Sequence, residues 1–462
     1  MSVEIQARQD QGDDAYELDE KLVEEIRAAV EAQDGDLLEA LLEPLHPADI
    51  ADLLEQIGPA ERRGLLRLWH GGELEGEVLA ELDEALREEV IRDLDPEALA
   101  EAVRDLETDD VVDIVEDLDE PEQEEILAAL PDAERVAVEQ ALSYPEDSAG
   151  RLMQREVVVA PEHWTVGQTI DFLRAADDLP EQFYHVILVD PKMRPTGYVT
   201  LGKLLASKRD TPLKAITEES FRTIPVDQPE EDVAYAFNQY HLISAPVVDK
   251  DGRLVGVITI DDAMEVLDEE TEEDMLRLAG VSEEESLSDT AIDVSRQRIP
   301  WLMVNLITAI LASLVIALFE DALSRVVALA VLMPIVASMG GNAGTQALTV
   351  AVRAIATRDL TSANVWRVIR REVLVGLING LVFAVVMGVV GWLWFGMPEI
   401  GLVIALAMVV NLVVAGLAGV LVPVALEKMG VDPALASGTF VTTVTDVVGF
   451  FVFLGLASLV LL

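Results

Sequence analysis

The chain of 462 residues is long enough for two or three domains. Its 85 Asp+Glu against 32 Lys+Arg leave a formal net charge of −53, so there is no basic surface for nucleic acid and no nucleic-acid partner is expected. With no Cys, disulfides, thiolate metal sites and cysteine nucleophiles are excluded.

The opening MSVEIQARQDQGDD is polar and has no apolar core, so no signal peptide is expected. Residues 18–145 read as carboxylate-coated helices, part of an acidic all-α domain over 1–147. Within it LHPADIADLLEQI (45–57) resembles LDPEALAEAVRDL (94–106), each with Pro near a helix start, which points to stacked helical hairpins. Glu97 and Glu101 are four apart and leave one helix face together; a solvated face is their default reading. The surplus acidity resembles that of proteins from salt-loving microbes, so a single carboxylate here carries weight only within a pattern.

Two segments then repeat at an offset of 59: ILVDPKMRPTGYVTLGKLL (187–205) and PVVDKDGRLVGVITIDDAM (246–264). Each reads as strand, turn, strand, helix, with helices expected upstream over 165–175 and 229–240. The pattern resembles a tandem pair of cystathionine-β-synthase (CBS) domains, an α/β module over 148–268. Such pairs imply an adenine nucleotide, ATP or a relative, held by a Gly-x-x-Thr-x-x-Asp pattern; the second repeat has Gly256, Thr259 and Asp262. Capping of the next helix by Thr259 and Asp262 is the structural alternative. In the first repeat Lys203 takes the acidic place. Residues 269–299 read as a linking helix that carries Glu270, Glu273 and Asp274 toward the membrane part.

From Pro300 onward 7 Lys+Arg stand against 8 Asp+Glu, so nearly all the net charge lies on the first 299 residues. Five apolar stretches, at about 301–319, 326–350, 373–397, 400–427 and 439–462, are each long enough to cross the bilayer. The second contains PIVASMGGNAGTQALT (334–349). Pro334 can kink it, Gly340, Gly341 and Gly344 allow close approach or local unwinding, and Asn342 and Gln346 add carbonyl oxygens. In the last stretch Asp446 is the one ionisable residue, beside Thr442, Thr443 and Thr445. A charge there costs about 2.5–3.5 kcal/mol on insertion scales, so a transported cation or a helix-pairing role must offset it. Asp432 precedes that stretch, as a cap or an ion contact. Arg353, Arg358, Arg367, Arg370 and Arg371 gather after the second stretch, which places the N-terminal part in the cytoplasm and the C-terminus outside.

An acidic helical domain, a CBS pair, a linking helix and five spans, in that order, resemble the MgtE family of magnesium channels. The most specific parts are PIVASMGGNAGTQ (334–346) and GVDPALASGTFVTTVTD (430–446). The resemblance implies a homodimer in the cell membrane whose pore, lined by Gly340, Gly341, Asn342, Gly344, Gln346, Thr442, Thr445 and Asp446, passes Mg²⁺ under the membrane potential. It further implies closure by cytoplasmic Mg²⁺, with Glu231, Asp262 and Glu265 facing Glu97 and Glu101, and with Glu270, Glu273 and Asp274 facing Asp432. His241 and Gly438 depart from the family pattern. No nucleophile–base set or P-loop is visible, so no enzyme is expected. The alternative is a nucleotide-regulated transporter of another divalent cation or of a proton-coupled substrate.

Overall fold

The computed structural model describes residues 18–69, 76–94, 99, 102–104, 106–116, 118, 120–176, 179–180, 182–218, 221–282 and 291–461, with the backbone alone at 84, 85, 88, 93, 120, 125, 129, 293, 436 and 437. Two compact units result, one up to Leu267 and one from Asp268 onward.

The first unit begins with helices α1 (Glu20–Ala32), α2 (Gly35–Leu42), α3 (Pro47–Gln56), α4 (Pro59–Trp69), α5 (Gly76–Ala80), α6 (Glu84–Asp93), α7 (Thr108–Glu116), α8 (Glu120–Ala129) and α9 (Asp132–Ala141). Their limits follow local chemistry. Asp19 caps α1, accepting from the Lys21 N–H at 3.0 Å, and Gln33 ends it in the left-handed region at φ 55°. α3 opens on Pro47 with His46 and Asp49 forming a capping box. Apolar residues three and four apart, such as Val23, Ile26, Ala29 and Val30, turn one stripe of each helix inward. Leu53, Leu54, Leu65, Leu79 and Ile114 are fully buried, each contributing about 1.5–3 kcal/mol. Two cations join this core: Arg62, 3% exposed, donates to the carbonyls of Leu54 (3.0 Å) and Ile57 (3.3 Å) and pairs with Glu89 at 2.7 Å, and the buried Arg87 pairs with Asp113.

The CBS pair occupies the rest of the unit as two matching three-stranded sheets. β1 (Val159–Pro161), β2 (His185–Val189) and β3 (Pro195–Thr200) form one; β4 (Ile224–Pro225), β5 (Ser244–Val248) and β6 (Leu254–Thr259) form the other. In each the first pairing is parallel and the second antiparallel. His185 opposes Thr200 and Ser244 opposes Thr259, so the registers repeat at the offset of 59. The helices expected upstream are α10 (Val166–Ala175) and α12 (Glu230–Tyr240); α11 (Leu201–Ala206) follows β3. Gln154 bridges to Val257 through both backbone bonds, at 2.9 and 3.0 Å.

The linking element differs from expectation. α13 runs unbroken from Ile260 to Ala279, so it begins inside the CBS pair. It stops at Gly280, whose φ of 75° only glycine adopts freely and which lies against Trp301. The helix that resumes, α14 (Ala291–Ala317), continues into the first span. A single linking helix over 269–299 is therefore replaced by the end of one helix and the start of another.

In the second unit α14 is followed by α15 (Glu320–Arg325), α16 (Ala328–Ala356), α17 (Val365–Phe395), α18 (Pro398–Lys428) and α19 (Pro433–Leu461). Five helices are long and apolar enough to cross a membrane: Val294–Ala317, α16, α17, α18 and Gly438–Leu461. The first three run past the apolar stretches at one end, where polar residues such as Arg296, Arg353 and Arg367 continue the helix. α18 is central, burying Ile400, Val403, Ile404, Ala407, Met408 and Leu412. α17 reaches its backbone through Gly376 and Gly380: a methyl there would lie 2.5 Å from the Leu412 carbonyl oxygen and 2.9 Å from the Val409 Cα. α16 keeps Pro334 inside one continuous helix, so its glycines serve close approach and not unwinding.

Candidate ion path and acidic cluster

α19 packs on the glycine-rich stretch of α16. A methyl at Gly341 would lie 3.8 Å from the Thr442 methyl, and one at Gly344 would lie 2.6 Å from Val441 and 3.6 Å from the Thr445 methyl. The two most family-specific motifs thus meet. Thr442 and Asp446 are four residues apart on one face of α19, so Asp446 lies one turn beyond the Gly341 contact. Asp446 and Thr442 are half-buried, and Asn342 is exposed. The Thr442 hydroxyl donates to the carbonyls of Gly438 (3.0 Å) and Thr439 (3.1 Å), Thr443 to Thr439 (2.6 Å) and Thr445 to Thr442 (2.9 Å).

Several residues expected to line a pore have other places. Gly340, Gly344 and Thr445 are buried in the packing between helices, with Thr445 fully so. Gln346 faces away, toward α17 and α18, where it lines a cavity of about 90 Å³ with Glu372 and Asn379. One polar residue went unremarked in sequence: Asn411 on α18 is fully buried and donates through Nδ2 to the Val336 carbonyl at 2.9 Å.

At the N-terminus of α19, Asp432 accepts from the Ala434 N–H at 2.7 Å, as a cap residue does, and pairs with Arg277 of α13 at 2.7 Å. Arg277 also pairs with Glu273. A guanidinium therefore stands where family resemblance set acidic residues opposite Asp432. Glu270 and Asp274, half-buried, share the same helix.

In the first unit Asp262 serves α13 directly, accepting from the Thr259 hydroxyl at 2.6 Å and the Thr259 N–H at 3.2 Å. Gly256 lets the 153–154 segment approach, for a methyl would lie 2.6 Å from the Gln154 carbonyl oxygen. All three residues of the Gly-x-x-Thr-x-x-Asp pattern thus have structural duties. Glu231 and Glu265 are exposed, and Glu97 and Glu101 lie outside the described residues. The carboxylates brought toward Asp262 come instead from Glu107 and from Asp109 and Asp110 of α7. Burial, then Glu156, pushes Glu107 up to about 7; burial, then Asp262, pushes Asp110 up to about 7 and Asp109 well up. Burial first, then Asp261, pushes Asp262 up to about 6 against the Thr259 bonds. Gln154 donates to Glu107, and the Thr108 hydroxyl donates to Glu156 at 2.7 Å. Among the described residues no three His, Asp or Glu side chains converge tightly enough to hold a metal ion.

Five bilayer-length helices, preceded by a CBS pair, mark a multi-pass membrane protein with an α/β module ahead of its spans. Residues 333–456 match the profile described as a divalent cation transporter, 45–147 the MgtE intracellular N domain, and 149–210 and 213–269 the CBS domain. The chain is 36% identical to the magnesium transporter MgtE of Thermus thermophilus over 330 residues, 71% of this chain and 73% of that one. It is 34% identical to that of Enterococcus faecalis over 322 residues, 70% and 71% of the two chains. A crystal structure of the cytosolic domain of the Mg²⁺ channel MgtE in complex with ATP is similar at 30% identity, covering 53% of this chain and 99% of that one with a TM-score of 0.48. The chain belongs to the MgtE family of magnesium transporters, and it is not an enzyme.

Proposed function

We propose that this chain is one protomer of a homodimeric, Mg²⁺-selective channel, with its N-terminal part in the cytoplasm and its C-terminus outside. The observation that carries the reading is Asp446, the lone ionisable side chain of α19, one turn beyond the seam where Thr442 meets Gly341, the neighbour of Asn342 in sequence. Two copies across a two-fold axis would face a cation with carboxylates and amide oxygens. Mg²⁺ keeps its inner waters and is commonly held through them by one or two carboxylates. The membrane potential drives a divalent ion inward by about 4.6 kcal/mol per 100 mV.

Cytoplasmic Mg²⁺ closes the path. Glu107, Asp109, Asp110 and Asp262 repel one another, with Glu231 and Glu265, and by resemblance Glu97 and Glu101, adding charge nearby. Glu270, Glu273, Asp274 and Asp432 form a second acidic group around Arg277. An ion bound only when these groups are close shifts the population toward the closed form. A separate role for the CBS pair is ATP binding at Gly256, Thr259 and Asp262, where β6 passes into α13; equilibrium dialysis of ATP against wild type and Thr259→Ala tests it, equal binding refuting the assignment.

The central test is Mg²⁺ influx into energised proteoliposomes. Wild type should conduct and Asp446→Asn should not. Equal conduction by both would remove Asp446 from the path. Uptake driven by a proton gradient without divalent ions would favour a proton-coupled carrier.

A further inference from the structure

Asn411 is the only polar side chain of α18 between Ile400 and Leu426, and none of it is exposed. Its amide occupies a slot between two glycines of neighbouring helices. A methyl at Gly340 of α16 would lie 2.2 Å from Nδ2, and one at Gly449 of α19 would lie 2.9 Å from Nδ2 and 3.0 Å from Oδ1. Nδ2 is bonded to the Val336 carbonyl of α16, while Oδ1 has no hydrogen-bond partner among the described residues. An aliphatic side chain would fill the slot without leaving a carbonyl oxygen buried and unpaired, so packing does not account for the amide.

The slot's position does. Gly340 begins the Gly-Gly-Asn stretch, and Gly449 lies one turn past Asp446. One side chain thus touches the Gly-Gly-Asn motif of α16 and the turn of α19 that follows Asp446. We propose that Asn411 is a positioning residue for ion selectivity, holding the Asp446 turn of α19 at a fixed separation and rotation from the Asn342 stretch of α16. This rests on the reading of Asp446 as the ion-path carboxylate. Mg²⁺ demands near-ideal octahedral geometry and dehydrates reluctantly, whereas Ca²⁺ accepts variable distances and ligand numbers. Loosening the spacing should therefore admit Ca²⁺ relative to Mg²⁺.

The test uses the full chain in proteoliposomes, with Mg²⁺ and Ca²⁺ influx measured separately under one imposed potential. Asn411→Val should reconstitute, conduct Mg²⁺, and show a Mg²⁺/Ca²⁺ flux ratio lowered about tenfold, the scale expected of a displaced site. Gly449→Ala, which presses on the amide while keeping it, should lower the same ratio. A reconstituted Asn411→Val with a ratio within about twofold of wild type overturns the proposal. Should Asn411→Val fail to fold, an unchanged ratio in Gly449→Ala overturns it equally. Asp446→Asn is run alongside: if it conducts as wild type does, the Asp446 reading falls and this proposal with it. A silent Asp446→Asn beside an unchanged Asn411→Val removes Asn411 alone.

Discussion

Asp446 and Asn411 show how differently one polar residue reads in sequence and in space. Asp446 was legible because a carboxylate in an apolar span carries a cost that demands an explanation. Asn411 was not, because an amide in such a span is cheaper and only tertiary packing reveals the two glycines around it. Asp109 and Asp110 were hidden in a different way, among carboxylates that coat every neighbouring helix. Their raised pKa values, with those of Glu107 and Asp262, predict a pH response. Between the ordinary carboxylate range and about pH 7 the folded cluster binds more protons than the unfolded chain, so its stability falls as pH rises. Hydrogen exchange at α7 in chelating buffer should therefore quicken from about pH 5 to pH 8, and Mg²⁺ should slow it again at the upper end. Protection that holds steady or grows with pH would contradict the buried cluster. Gly256→Ala meets backbone 2.6 Å away and should cost about 1–3 kcal/mol, read as a lower melting temperature of the soluble part.

At the scale of elements, the repeat at an offset of 59 located all but the short edge strands β1 and β4 of the CBS sheets, because alternation and the turn residues agree in both copies. The spans were legible from hydropathy, yet their ends and the break after α13 were not. That break depends on Gly280 at positive φ against Trp301, a tertiary contact. Arg277 was likewise invisible as a partner of Asp432, 155 residues away. The pair is worth about 1.5–3 kcal/mol as a charge-assisted bond. Arg277→Gln should leave Glu273 and Asp432 without their shared cation, so exchange over 270–279 should quicken in low Mg²⁺ and recover when Mg²⁺ is added. A variant indifferent to Mg²⁺ would show that these carboxylates do not take up a divalent ion. Gly376→Ile, against the Leu412 carbonyl 2.5 Å away, should separate α17 from α18 and yield protein that is not monodisperse in detergent.

Across the whole molecule the charge is divided: 25 basic and 77 acidic residues precede Pro300, and the remainder is nearly neutral. Screening lengths fall from about 10 Å at 0.1 M salt to about 3 Å at 1 M. Over that range of KCl the soluble part should gain thermal stability, while the Mg²⁺ concentration that halves influx should rise. A half-closing concentration that does not move with salt would place the sensing ions in deep, unscreened sites. The composition made this dependence legible from the start, although it masked which carboxylates matter.

The threonines of α19 add a consequence of their own. Thr442 and Thr443, both half-buried, each give the hydroxyl proton back to their own helix, so what their oxygens offer outward is lone pairs. On the proposed ion path, chloride, which must be met by donors, would find no threonine proton on that strip, so anion rejection would not need a second charge beside Asp446.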